Sequence, residues 1–482
     1  MKEKLVVGII ANTTNPRTVG RLLEDLSILA AIDTGFSWMD VVLLENPSGD
    51  AEKFVPPVMG RNVAVHCIDR ATQVADAARG LFGTLRMSAG RLPISSARTM
   101  VQRYASIFAD TERACVWILD EDLRLQPFLA AMREGNARLS DHVRHLRNER
   151  IDVAIGPVFG APPLPARSSV RTNLEDVVRH LHMFEQLEPH APWPDRTAEN
   201  ARVRAALPEY YYDFATAHED PGRVPYWMEP LHPGETVQSV YVRLVEGLAG
   251  LIEGLPITRA IPFDVENVTP FALARGGNTI FVNPGFLAKI PNLVPFFDGR
   301  ACRRSDMIWA RLAVQMERAR FGRFPIAVWQ DRTGPGGSSF GADKLLDDAR
   351  GSALVRAFDA LIAEKLFTSS QSVTAAVAKH GARLFSAHLA ERLGIIARSE
   401  ERVCMLLAEI REYASSELRR GPWANHCPEI IQSVETLHAA MTHDRTSADV
   451  SSDAAVVERY FLGLHDDVRA YNVPSDVRLA GS

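Results

Sequence analysis

Three acidic side chains in succession, Asp120-Glu121-Asp122, follow directly on the apolar run Ala114-Cys115-Val116-Trp117-Ile118-Leu119. The run has the length and branching of a buried strand. Two carboxylates at i and i+2 beyond a strand end repel each other and lose hydration unless a positive charge joins them. A divalent cation carrying a phosphate answers that need, because hard cations such as Mg²⁺ and Mn²⁺ take oxygen ligands. Alone, the triplet reads equally as a solvated strand-to-loop junction. The other polar segments of the chain bear on that choice.

Those segments close other apolar runs. Residues 5–10 predict a first strand that ends in Asn12-Thr13-Thr14-Asn15-Pro16, and residues 41–44 a second that ends in Glu45-Asn46-Pro47-Ser48-Gly49-Asp50. Residues 63–67 predict a third, and 115–119 a fourth. Between them, 18–32 carry Val19, Leu22, Leu23, Leu26 and Leu29 at helical spacing, and helices are expected near 71–81 and over 95–108. Such alternation is the pattern of an α/β fold with a largely parallel sheet flanked by helices. Ligands of such sheets bind beyond the carboxyl ends of the strands. Asn12, Glu45 and Asp120 all fall at such ends and are expected to share one crevice.

Composition narrows the function classes. The chain of 482 residues is 46% hydrophobic and 23% charged, with a net charge of -5, so no chain-wide basic signal points to nucleic acid. No run approaches the roughly eighteen apolar residues of a membrane span. Met1-Lys2-Glu3-Lys4 passes straight into a strand pattern, without signal-peptide character. Cys67, Cys115, Cys302, Cys404 and Cys427 are scattered and odd in number, which argues against a zinc site or a disulfide framework and for a cytoplasmic location.

Taken in order, four motifs resemble the nucleotide-sugar-dependent glycosyltransferases of the GT-A fold, especially family 2. In that family strand one ends in Pro-Thr-x-Asn and strand two in Asp-Asn-x-Ser-x-Asp. An Ala-Arg-Asn triplet opens a helix, and Asp-x-Asp follows strand four. Here Asn12 replaces Pro, Glu45 replaces Asp, and Ala97-Arg98-Thr99 carries Thr in place of Asn. Asp120-Glu121-Asp122 is intact. The resemblance covers residues 4–125 and, more loosely, 270–332. It implies a GT-A-like sheet and a nucleoside-diphosphate sugar as donor. Asn12, Thr13, Asn15 and Glu45 would meet the base or ribose, and Arg98 the diphosphate. Asp122 would ligate Mg²⁺ or Mn²⁺, with Asp120 on the donor or the metal. Read without the family, Arg98 is equally a surface ion pair, and Asn12 and Thr13 are ordinary turn residues.

The resemblance continues on the acceptor side. Gly276-Gly277-Asn278 stands where the family lines the donor sugar, ahead of a strand expected at 280–282. Arg303-Arg304-Ser305-Asp306 stands where the family opens a helix with Glu-Asp. Asp306 matches the general base of inverting enzymes, and Ser305 replaces the Glu. A helix N-terminal carboxylate favoured by the dipole explains Asp306 as well. Some relatives place a third metal ligand, a His, after a late strand; here Gln330 occupies that region, and Asp331 is the expected substitute.

Four segments are expected: 1–160 and 261–342 as the two halves of the GT-A-like domain, 161–260 as a mainly helical insertion, and 343–482 as a helical C-terminal domain. The insertion holds His180-Leu181-His182 and the aromatic run 210–214, for which packing roles are expected. Apolar stripes such as Ile395, Val403, Leu406 and Leu407 pack together or support a homo-oligomer. The acceptor is not legible. A nucleotidyltransferase on a related sheet, or a non-catalytic nucleotide-sugar-binding protein, are the competing functions. The first usually carries a Gly-rich, basic loop after strand one, which residues 12–16 lack.

Overall fold

The computed structural model describes residues 3–12, 16–47, 54–85, 91–109, 113–134, 138–215, 218–263, 276–332, 340–368, 372–416, 422–443 and 446–472. The strands are β1 (Glu3–Ala11), β2 (Phe36–Glu45), β3 (Val63–Ile68), β4 (Ala114–Asp120), β5 (Leu123–Arg124), β6 (Val153–Ile155), β7 (Val158–Gly160), β8 (Asn278–Phe281), β9 (Phe296–Phe297), β10 (Arg300–Ala301), β11 (Phe321–Arg323) and β12 (Val328–Gln330). The helices of the N-terminal half are α1 (Pro16–Ile32), α2 (Arg70–Ala78), α3 (Ile94–Phe108), α4 (Gln126–Arg133), α5 (Leu139–Asn148), α6 (Val170–Phe184), α7 (Thr197–Ala206) and α8 (Val237–Gly250). Then come α9 (Ser305–Glu317), α10 (Ala342–Ala363), α11 (Ala375–Ser416), α12 (Cys427–His443) and α13 (Val450–Tyr471).

A seven-stranded sheet in the order β11-β6-β8-β4-β1-β2-β3 forms the centre. Its pairs are parallel except those of β8, which runs antiparallel to β4 and β6. The chain is therefore an α/β protein, as its strand–helix alternation predicts. β1 and β4 are buried on both faces, which is why each reads as an unbroken apolar run. A smaller sheet, β5-β12-β7, begins directly after Asp122.

Helices cover both faces. On one, Leu22, Leu26, Leu129 and Leu146 of α1, α4 and α5 pack on Leu5, Val7 and Trp117. On the other, Met100 and Val101 of α3 and Trp309 and Leu312 of α9 pack on Val6, Val116 and Phe281. Phe358 of α10, Phe385 of α11 and Phe461 of α13 join this second core, so the C-terminal helices extend the layer that holds α3 and α9. A third core unites α6 and α8 with α11 and α12, through Leu181, Tyr241 and Leu244 against Leu406, Leu407, Ile410 and Leu437. α11, 42 residues long, contributes to both helical cores.

That packing decides between the two readings of the C-terminal stripe. Val403, Leu406 and Leu407 are buried within the chain, and Ile395 packs against the second core. The stripe packs together within the chain, the first of those two readings.

Other differences have local causes. β11 has only three residues, too few for a periodic pattern. α6 starts at Val170, where the Asp213 carboxylate accepts the N–H groups of Arg171 and Thr172, each at 2.9 Å. A cap supplied from a distant loop satisfies N-terminal donors of the helix without leaving a local signature. α7 lies within the segment expected to be mainly helical, and the late strand before Asp331 is β12, residues 328–330. α13 starts at Val450, where Asp449 accepts from the N–H groups of Ser451 and Ser452. Most of the Gly-rich stretch 333–341 lies outside the described residues.

The two eye-catching clusters of the insertion are packing features. His180 is fully buried, with Nδ1 2.7 Å from Asp176 O and Nε2 accepting the Met228 N–H at 3.0 Å. Tyr210 stacks on Tyr226, their rings 5.1 Å apart, and its hydroxyl donates to Ala260 O. Among the described residues no helix is long and apolar enough to cross a membrane.

Candidate functional site

Register sets the site. In the parallel β1–β4 pair Ile10 lies opposite Asp120, and in the parallel β1–β2 pair Ala11 lies opposite Glu45. The carboxyl ends of β4, β1 and β2 therefore stand side by side, with Asn12 immediately beyond β1. The polar strand ends are thereby neighbours, as their place after the apolar runs predicts. On the far side of β4, β8 enters antiparallel, and the Asp120 N–H donates to Gly277 O at 3.3 Å.

Arg98 projects from the second turn of α3 and meets two carboxylates. Its Nη2 is 3.4 Å from Asp120 Oδ1 and its Nη1 3.3 Å from Asp306 Oδ2. Asp306 stands in the first turn of α9. The Arg98 and Asp306 side chains are 12% and 15% exposed, and Asp120 is 34% exposed. Burial alone would lower the Arg98 pKa; Asp306 and then Asp120 more than offset it, and the pKa lies above its ordinary value. A planar guanidinium between two carboxylates can turn its donor fork to an incoming anion without leaving the site.

The acid triplet divides its contacts. Asp122 accepts from Gln330 Nε2 at 2.9 Å, and its backbone carbonyl accepts the Asp331 N–H at 2.8 Å. Burial, and then the charge of Asp120, raise the Asp122 pKa. Glu121 accepts the backbone N–H of Asn12, which ties the end of β1 to the triplet. Burial pushes the Glu121 pKa up to about 7; the Asn12 hydrogen bond opposes the rise and the charge of Asp122 adds to it. Carboxylates that burial and one another drive toward the neutral form make a place for a cation.

Asp331 does not complete a metal shell. Its Oδ2 pairs with Arg21 Nη2 of α1 at 2.6 Å, which corrects the expected third ligand. Among the described residues no three metal-ligating side chains converge. Asp120 and Asp122 remain, oxygen donors suited to Mg²⁺ or Mn²⁺. Mg²⁺ in particular is usually held by one or two carboxylates together with substrate phosphates, and the pair fits that kind of site.

Asn278 is also re-assigned. It is fully buried, with Nδ2 donating to Pro157 O and Ile326 O, each at 2.8 Å, and Oδ1 accepting from Trp117 Nε1 at 3.0 Å. The amide is saturated and faces the sheet, so it does not line the crevice. Gly277 does reach the site through its backbone: a Cβ there would lie 2.3 Å from Asp120 Oδ2. The Gly276 N–H donates to Thr279 Oγ1 at 3.3 Å. Thr13 and Asn15 lie outside the described residues.

Sequence reasoning missed the residues that hold the strand ends in place. Gln73 of α2 donates to Glu45 O at 2.8 Å and to Ile68 O at 2.9 Å, pinning the ends of β2 and β3. Buried Asn46 accepts the Leu92 N–H at 2.7 Å and donates to Leu92 O at 3.0 Å, fastening β2 to the lead-in of α3 and hence to Arg98. Arg21 and Gln73 are single polar side chains on amphipathic helices, a pattern shared by ordinary surface positions. No protein-family model matches this chain, and no curated protein matches it.

Proposed function

We propose that this chain is a glycosyltransferase of the GT-A type, transferring a sugar from a nucleoside diphosphate to a hydroxyl or amine acceptor with inversion. The observation that carries the reading is Arg98 held between Asp120 and Asp306 at the carboxyl ends of β4, β1 and β2. One cation then touches both the residue matched to donor binding and the residue matched to the general base. In the reaction, Asp306 takes the proton from the acceptor O–H or N–H as that atom attacks the anomeric carbon. The bond from that carbon to the diphosphate oxygen breaks, and Arg98 offers its donors to the departing diphosphate. A divalent cation bound by Asp120 and Asp122 would supply Lewis-acid neutralisation of the leaving group. Glu45 and Asn12, at adjacent strand ends, fit the nucleoside side.

The setting we propose is cytoplasmic: none of the five cysteines is disulfide-bonded, in keeping with a reducing compartment. The test is a thermal-shift panel of UDP-, GDP-, ADP- and dTDP-sugars with and without Mn²⁺. At least one donor is expected to raise the melting temperature in a metal-dependent way, and Asp122→Ala to abolish the metal dependence. Absence of stabilisation by every nucleotide sugar under every metal condition overturns the reading. Pyrophosphate release from a nucleoside triphosphate would mark a nucleotidyltransferase instead.

A further inference from the structure

The corner that precedes α9 is held from outside the sheet domain. Arg304, the residue before the helix, has φ 65° and ψ 26°, the left-handed region. That conformation crowds the Cβ of a residue with a side chain against the following carbonyl, so something must hold it. Arg304 Nε is 3.3 Å from Asp348 Oδ1, and Nη2 is 3.1 Å from Asp348 Oδ2. The Tyr212 hydroxyl donates to Asp348 Oδ2 at 3.0 Å and accepts from Arg304 Nη2 at 3.2 Å. Asp348 is 3% exposed and belongs to α10. Burial alone would raise its pKa, but Arg304 and then Arg303 hold it below the ordinary value, so the carboxylate stays charged.

The main chain is held at the same place. The Arg303 N–H donates to Asp347 O at 3.0 Å. A Cβ at Gly351 would lie 2.3 Å from Arg303 O, so α10 meets the corner backbone to backbone. Two residues beyond Arg304, Asp306 begins its reach to Arg98.

We infer that Asp348 is a positioning residue for Asp306: with Tyr212, it holds Arg304 in the left-handed turn that aims the first turn of α9 at Arg98. Its effect on turnover, though not the brace itself, rests on Asp306 being the general base proposed above. The C-terminal helical segment is thereby part of the site, though none of its residues is assigned to touch substrate.

The experiment compares four proteins: wild type, Asp348→Asn, the double variant Arg304→Gly with Asp348→Asn, and Tyr212→Phe. Asp348→Asn is expected to lower kcat on the order of 100-fold, as small misplacements of reacting groups do, with the donor Kd unchanged. The double variant is expected to recover about tenfold or more, because glycine enters the left-handed region without steric penalty. Tyr212→Phe, which keeps the ion pair, should lower kcat less, in the same direction. In crystal structures Asp306 is expected to leave Arg98 in Asp348→Asn and to return in the double variant. Wild-type kcat in Asp348→Asn, or no recovery in the double variant, overturns the brace. Should Asp348→Asn fail to fold, Tyr212→Phe decides: kcat and an Asp306–Arg98 contact both unchanged overturn it. Should the wild-type protein transfer no sugar, the glycosyltransferase reading fails, and the crystal structures alone judge the brace.

Discussion

The guanidinium of Arg98 stands 3.3 Å from the carboxylate of Asp306 and ties α3 to α9, elements far apart in the chain. The same guanidinium is 3.4 Å from Asp120, so two acids share one cation. Shielded charges of this kind are screened by salt much less than exposed ones. The arrangement separates the roles of the two partners. Arg98→Ala is expected to weaken nucleotide-sugar binding about tenfold or more, since it removes a charge-assisted anion contact worth about 1.5–3 kcal/mol. Asp306→Asn should leave the donor Kd nearly unchanged and lower kcat about 10²–10⁴-fold, the usual contribution of a general base. Calorimetric titration with steady-state kinetics on both variants checks the split. Equal loss of binding in the two would remove Asp306 from the chemistry.

Gly277 gives a second test of the donor side. A methyl group there would sit 2.3 Å from Asp120 Oδ2. Asp120 must then turn away from Arg98. Gly277→Ala is expected to weaken donor affinity about tenfold, roughly 1.4 kcal/mol, with an unchanged circular dichroism spectrum. Unaltered affinity would show that Asp120 does not meet the donor.

Asn278 should behave in the opposite way. Its side chain satisfies two buried carbonyls and the Trp117 indole N–H. Asn278→Ala leaves all three unpaired and is expected to destabilise the fold by about 3 kcal/mol, read as a lower midpoint in urea unfolding. Loss of donor affinity with no loss of stability would return Asn278 to the crevice.

Glu121 sets a pH dependence. Its pKa rises from the ordinary 4.5 to about 7, chiefly by burial. Between these values the folded state binds more protons than the unfolded chain, so stability falls as pH rises. The contribution of Glu121 is fully present below pH 4.5 and lost by about pH 7. In chelator-treated protein Glu121→Gln is expected to flatten this limb and to raise the melting temperature at pH 8 relative to wild type. Melting curves from pH 4 to 8 in the presence of EDTA check it; parallel profiles for the two proteins would contradict it.

Much of the sheet was legible because its strands are buried on both faces. β1 and β4 read as continuous apolar runs, and the polar residues that close them mark the carboxyl ends. Arg98, Asp120 and Asp306 were found as separate motif positions, and Asp122 as part of an acidic triplet. What the sequence by itself determined is thus the α/β layering and the residue types gathered at the strand ends. Both follow from local patterns of burial and charge.

Only the tertiary structure decided which of those residues meet. Asp331 pairs with Arg21 across 310 positions, Asn278 closes on Trp117 across 161, and Asp348 grips Arg304 from another helix. The same carboxylate can be a metal ligand, an ion-pair partner or a brace, according to what packing brings within about 3 Å. Side-chain type sets what a group is able to do; the partner supplied by long-range packing selects which of those things it does.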